Sequence, residues 1–183
     1  MKIIFSIVLM LATPYLLEAQ YFLGFHSEYD DTFREWNIVL EKDSTEIEGE
    51  LELTWGINND FTQWQYRVGD RYGEIYLKFK NNPGLWELAA DDKVVTINQV
   101  WPGDVTEWKI SHAGRSFVFR TTYPNILDEW AIKGNKHGEL VIYTEYTGDA
   151  RDWIVSDYTV EEITFEERMA ALFIALQVST PKF

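Results

Sequence analysis

The chain of 183 residues contains no cysteine. Disulfides, thiolate metal sites and cysteine nucleophiles are therefore excluded. Positive charge is scarce as well. The 16 lysines and arginines face 30 aspartates and glutamates, a formal net charge of -14. Nucleic-acid binders need a basic footprint for the phosphate backbone, so that class is set aside. Simple docking on anionic lipid is disfavoured for the same reason. No serine stands in a G-x-S-x-G elbow, and there is neither a phosphate-cradling glycine loop nor a calcium loop. The histidines, His26, His112 and His137, are scattered without metal-ligand spacing. Ser111 and His112 are adjacent, and neighbours on a strand point to opposite faces, which makes them a poor nucleophile and base. Catalytic, cofactor-binding and metal residues are thus expected to be none, with no cofactor, and the chain is expected not to be an enzyme.

What is present begins with an address. Lys2 precedes an apolar stretch from Ile3 to Ala12, followed by Pro14 and a small residue at Ala19. This is the layout of a secretory signal peptide over residues 1–19. The stretch is short of the roughly twenty residues that span a bilayer as a helix. Cleavage is expected before Gln20, giving a secreted or periplasmic protein. An uncleaved, membrane-tethering segment is the alternative, since Leu17 stands where a small residue is preferred. The segment carries one base and one acid, Lys2 and Glu18, so the mature chain keeps the whole -14. Residues 20–183 have the size of one domain, which at this length buries enough surface to fold without disulfide staples. A monomer is expected.

The mature chain reads as strand almost throughout. Over Glu46 to Leu53, glutamates alternate with Ile47, Leu51, Leu53 and, beyond them, Trp55. That is the period of a half-buried strand with a solvated acidic face. Asn82-Pro83-Gly84 and Trp101-Pro102-Gly103-Asp104 suit type II turns. Asp91-Asp92, Ala113-Gly114 and Gly148-Asp149 mark further reversals. Trp64, Trp86, Trp108 and Trp130 recur every 22 residues, and Trp153 comes 23 later. An apolar residue or tyrosine stands two positions after each. Arg71, Lys93 and Arg115 stand seven after the first three. Ile75, Ile97, Phe119 and Val141 stand eleven after the first four. Each unit reads as a strand opening with tryptophan, a tight turn beside a base, and a returning strand. The expected object is an antiparallel barrel or strongly curved meander of hairpins. Ordinary β-sandwich spacing is the alternative.

Near the carboxy terminus the pattern changes. Thr164 and Glu167 make a capping box, and Glu166 and Glu167 suit the positive end of a helix dipole. Met169 to Leu176 then contains no polar residue. A helix apolar all round must be buried all round. A core helix over about 164–178 is expected, surrounded by strands. Burying Leu172, Phe173, Ile174 and Leu176 contributes roughly 1.5–3 kcal/mol each. A helix covering one open sheet face is the alternative.

Hairpins ending in a terminal apolar helix resemble the tubby C-terminal and LURP-one-related superfamily. The likeness rests on residues 107–178: Trp108 to Arg115 as strand, turn and returning strand, Gly138 to Ile142 and Gly148 to Asp157 as late hairpins, and Arg168 to Leu176 as the helix. The resemblance implies a closed antiparallel barrel around a central carboxy-terminal helix. It also implies intracellular action at phosphoinositide or phospholipid membranes. This chain departs on both counts, for it has an export signal. Its densest basic group, Arg67, Arg71, Lys78 and Lys80, is outnumbered by acids, so the phosphoinositide role is carried to no residue. The stretch between Trp153 and the helix is short of one family hairpin.

The first functional expectation is an exported, non-enzymatic binding or interaction module with an unidentified lipid or protein partner. The second is a secreted carbohydrate-binding or glycan-processing β domain using exposed tryptophans. Trp64, Trp86, Trp108 and Trp130 are assigned to the core by their equivalence. Trp101, beside its Pro-Gly turn, and Trp36 are the candidates for ligand stacking. Acid pairs such as Glu28 with Asp30 or Asp31, and Asp128 with Glu129, are read as surface charge, because glycoside hydrolysis needs two acids across a cleft.

Overall fold

The computed structural model describes residues 20–29, 32–55, 60–134, 136–160 and 162–182. The expected signal segment and Asp30 and Asp31 lie outside the described residues. Twelve strands alternate with turns in chain order: β1 (Gln20–Ser27), β2 (Glu35–Lys42), β3 (Thr45–Leu53), β4 (Gln63–Val68), β5 (Arg71–Leu77) and β6 (Leu85–Ala90), then β7 (Lys93–Gln99), β8 (Glu107–His112), β9 (Arg115–Thr121), β10 (Glu129–Ile132), β11 (Gly138–Thr144) and β12 (Asp152–Thr159). One helix, α1 (Phe165–Ser179), comes last. Each strand pairs antiparallel with its sequence neighbours, and β12 pairs with β1 to close the barrel. Closure removes every sheet edge.

The core lies inside, and α1 fills it. Every residue from Phe165 to Leu176 is buried. The sandwich and the open-sheet alternatives therefore fall away. Inward residues of the even strands obey the tryptophan rule, with Trp64, Trp86, Trp108, Trp130 and Trp153 all buried. Three positions differ from the sequence reading. Trp36 belongs to the same set and is 1 % exposed, so its ring is unavailable to a ligand. Its 28-residue distance from Trp64 hides the equivalence. Trp130 sits opposite Ile142 rather than Val141, because the connection between β10 and β11 is longer than the two-residue turns elsewhere. Trp55, placed by alternation on the inner face, is exposed, since β3 ends at Leu53 and the chain turns there.

A buried indole N–H needs an acceptor. All six core tryptophans use the same one, the carbonyl three residues earlier. The pairs are Trp36 to Phe33, Trp64 to Phe61, Trp86 to Pro83, Trp108 to Val105, Trp130 to Leu127 and Trp153 to Ala150, at 2.8–3.3 Å. Each bond fastens the loop before an even strand to the barrel wall. The repeat thus fixes the loops as well as the core.

The two ends of the barrel differ. At one end the hairpins close with short turns. Asp43-Ser44 and Ala113-Gly114 take positive φ at both central positions, the conformation of a tight hairpin turn that matches strand twist. At the same end α1 begins, with both hydrogen bonds of its capping box formed. The basic residues of the repeat converge here. Arg71 lies 3.2 Å and Lys93 3.0 Å from Glu166, and Arg115 lies 3.6 Å from Glu167. Burial opposes the charge on Glu166, but the Lys93 hydrogen bond and the two cations outweigh it and hold the carboxyl below its usual range.

The closing seam is pinned from within. Arg168 donates to Asp157 at 2.8 Å and to the Gln20 carbonyl at 2.6 Å, while the Phe22 N–H also donates to Asp157. Gly24 is required at the seam: a Cβ there would stand 2.6 Å from the Trp153 carbonyl oxygen.

Candidate functional site

Longer connections gather at the opposite end, where α1 finishes. They span 28–34, 54–62, 78–84, 100–106, 122–128 and 145–151. Each carries an exposed aromatic two positions after the preceding strand: Tyr29, Trp55, Phe79, Trp101, Tyr123 and Tyr146. Their exposures run from 52 % for Tyr29 to 64 % for Trp101. Single exposed aromatics are ordinary on a protein surface. One at the equivalent place in every loop of one rim is not, because each forfeits the stabilisation of a buried ring. This crown is the candidate site.

Local chemistry stiffens the loops that hold it. Asp104 accepts from the Thr106 N–H at 2.8 Å and from its hydroxyl at 2.6 Å. Asp60 binds the Thr62 N–H at 3.1 Å and the Thr62 hydroxyl. Asp149 takes the Arg151 N–H at 3.1 Å and its guanidinium at 2.5 and 2.8 Å. Side-chain oxygens bonded two residues ahead organise turns in this way. The Thr62 and Thr106 hydrogen bonds hold Asp60 and Asp104 below the usual carboxylate range, and those from Arg151 bring Asp149 down to about 2. The rim therefore stays charged to low pH. Asp128 accepts the Gly148 N–H at 2.8 Å and ties two neighbouring loops.

Trp101 opens a type II turn as the sequence suggests. Asp104 N–H reaches the Trp101 carbonyl at 3.0 Å, with Gly103 at φ +83°. The Asn82-Pro83-Gly84 turn is different. Leu85 N–H reaches the Asn82 carbonyl at 3.2 Å, but Gly84 is not left-handed. A Cβ there would meet the Gln99 side-chain amide, which would have to move aside.

Between these two loops lies a cleft of about 720 Å³, within the roughly 300–1,000 Å³ of small-molecule sites. Pro83 walls one side, and Pro102 and Val105 the other. Gln177 and Val178 of α1 contribute from the barrel's interior, with Trp86 and Trp108 beside them. Phe79 and Trp101 belong to the walling loops. Among the described residues, none of those lining the cleft carries a charge.

Other sequence candidates separate. Arg71 sits at the short-turn end on Glu166, and Lys78 pairs with Glu87 at 2.6 Å near the long-loop end. The basic group read from the sequence is thus no common patch. His112 Nδ1 lies 2.9 Å from the Val94 carbonyl, and His137 packs near Phe117. Among the described residues no group of three or more histidines and acids could hold a metal ion, and no helix is long and apolar enough to cross a membrane. The exposed face of β3 carries Glu46, Glu48 and Glu50, unlike the apolar outer band of a membrane barrel.

The crown goes beyond the sequence reading, although the sequence holds a signal for it. Tyr29, Phe79, Trp101, Tyr123 and Tyr146 each stand seven residues before a core tryptophan. The repeat offsets used above all lie on the carboxy-terminal side of each tryptophan, whereas the crown lies on the amino-terminal side. No protein-family model, curated protein or solved structure matches this chain.

Proposed function

We propose that this chain is an exported, non-enzymatic binding module whose ligand docks on the long-loop rim. The observation that carries the reading is the crown itself: one exposed aromatic per loop, six loops, one end. α1 occupies the barrel interior, so a ligand must meet an outer surface. The rim is the surface where the repeat holds aromatics in water on loops fastened by the indole bonds. Aromatics on rigid supports bind at low entropic cost. The structure is a closed antiparallel barrel around one carboxy-terminal helix; the tubby and LURP-one likeness rests on the sequence resemblance and is part of this proposal. Fold alone assigns no ligand, and the basic residues that converge at the short-turn end, Arg71, Lys93 and Arg115, are engaged by Glu166 and Glu167. Amino-terminal sequencing of the exported chain tests the expected cleavage before Gln20.

Binding to a glycan array and to phosphatidylcholine vesicles tests the rim. A combined Trp55→Ala, Trp101→Ala, Tyr123→Ala and Tyr146→Ala variant should lose whatever the wild type retains. Tyr72→Ser with Tyr158→Ser, on the barrel wall, should keep it, with both variants melting near the wild type. Loss in the wall variant and retention in the rim variant would refute the assignment.

A further inference from the structure

We infer that the uncharged cleft between the 78–84 and 100–106 loops binds one or two rings of a neutral glycan, while Trp101 and Phe79, exposed on the same loops outside the cleft lining, stack on rings that extend beyond it. This rests on the rim as the docking surface and names its ligand class. Charge is the first observation. Charged residues make up 25 % of the chain and the balance is -14, yet the cleft lining is neutral. An anionic ligand would meet the field of the whole chain with no cation among the lining residues, and Lys78 of the walling loop is engaged by Glu87. A neutral ligand has no such barrier.

Hydrogen-bonding capacity is the second observation. The polar lining is four amides, Asn82, Asn98, Gln99 and Gln177. Part of each of the first three is used: Asn82 Oδ1 accepts from Gly84 N–H, Gln99 Oε1 from Gly103 N–H, and Asn98 Nδ2 donates to the Gln99 carbonyl. Each is thereby held in place with its other end available. The Gln177 Oε1 atom is buried without a hydrogen-bond partner. Turning this amide towards a ligand donor in the cleft would satisfy it. Amides present donors and acceptors side by side. A sugar hydroxyl is both at once, so a row of vicinal hydroxyls satisfies the set. Pro83, Pro102 and Val105 supply the apolar wall against which the C–H face of a pyranose packs.

Rival occupants fit less well. Extended peptides commonly add to a free sheet edge, and the closed barrel has none. A bilayer interface would receive the crown's aromatics, but Asp60, Asp104 and Asp149 stand among them and remain ionised.

Intrinsic tryptophan fluorescence of the full chain, titrated with cellohexaose, xylohexaose, maltohexaose and chitohexaose, provides the test. Oligogalacturonate, phosphatidylcholine vesicles and an unstructured peptide pool are titrated in parallel. At least one neutral hexasaccharide should bind saturably. Trp101→Ala and Gln177→Ala should each weaken it by about tenfold or more, roughly the loss of one good contact. Tyr158→Ser should leave affinity unchanged, and thermal midpoints report that all variants fold. Failure of every neutral glycan, with vesicle or peptide binding that depends on Trp101, overturns the glycan assignment and leaves the rim in place. Glycan binding lost in Tyr158→Ser but kept in Trp101→Ala overturns the cleft and the rim together, as does the absence of binding to every probe.

Discussion

Ala171 lies at the middle of α1 with no exposed surface, so Ala171→Asp places a carboxyl inside the barrel. It finds neither solvent nor a free basic partner: Arg71, Lys93 and Arg115 at the helix start are engaged by Glu166 and Glu167, and Arg168, one turn away on α1, is engaged by Asp157 and the Gln20 carbonyl. At pH 7 the carboxyl must be protonated to remain buried. Three pH units above an ordinary aspartate pKa, this costs about 4 kcal/mol. The neutral carboxyl without a partner costs a further ~1–3 kcal/mol, and its extra volume ~1–3 kcal/mol more. The total, about 6–10 kcal/mol, is comparable to the whole stability of a domain, about 5–15 kcal/mol. Urea unfolding monitored by tryptophan fluorescence should show the variant largely unfolded at pH 7. The sign of its pH dependence is fixed. Burial raises the folded pKa, so the penalty is absent below the unfolded pKa and grows as pH rises. At pH 4 the variant should recover about 4 kcal/mol relative to wild type at the same pH. Ala171→Ser, a smaller and neutral change, should fold. A variant with the wild-type urea midpoint at pH 7 would refute the encircled helix.

Glu166→Gln removes the charge on which Arg71 and Lys93 converge. Because both bases are partly exposed, the loss at pH 7 should be modest, about 1 kcal/mol. The folded pKa of Glu166 is depressed, so its contribution is present above the unfolded value and disappears as pH falls through the folded one; below about pH 4.3 wild type should lose stability more steeply than the variant. Gly24→Ala should cost about 1–3 kcal/mol at the seam, measured by thermal unfolding, since the Trp153 carbonyl must move.

Much of the fold is legible because each repeat position performs one physical task. The tryptophan must be buried and bonded, the base after the turn must meet the helix glutamates, and the uniformly apolar helix must be enclosed. Where units change length, legibility fails. Trp36 escapes because 28 rather than 22 residues separate it from Trp64, and the spacing points to Val141 where Ile142 packs, because one turn is longer. Alternation also runs past the end of β3 to Trp55. The candidate site is less legible. Trp101 is marked by its Pro-Gly turn, but an exposed aromatic and a buried one look alike in a chain with 8 tryptophans. The cleft draws Gln99, Pro83 and Gln177 from three elements, and no local pattern unites them.

The central claim is that the repeat sorts aromatics into a core and a rim. Limited N-bromosuccinimide oxidation of the folded chain, read by peptide mass spectrometry, tests it most directly. Of the 8 tryptophans, Trp55 and Trp101 should oxidise first. Trp36, Trp64, Trp86, Trp108, Trp130 and Trp153 should resist until the protein unfolds. Early oxidation of Trp36 or any of the other five, or protection of Trp101 in the free chain, would contradict it.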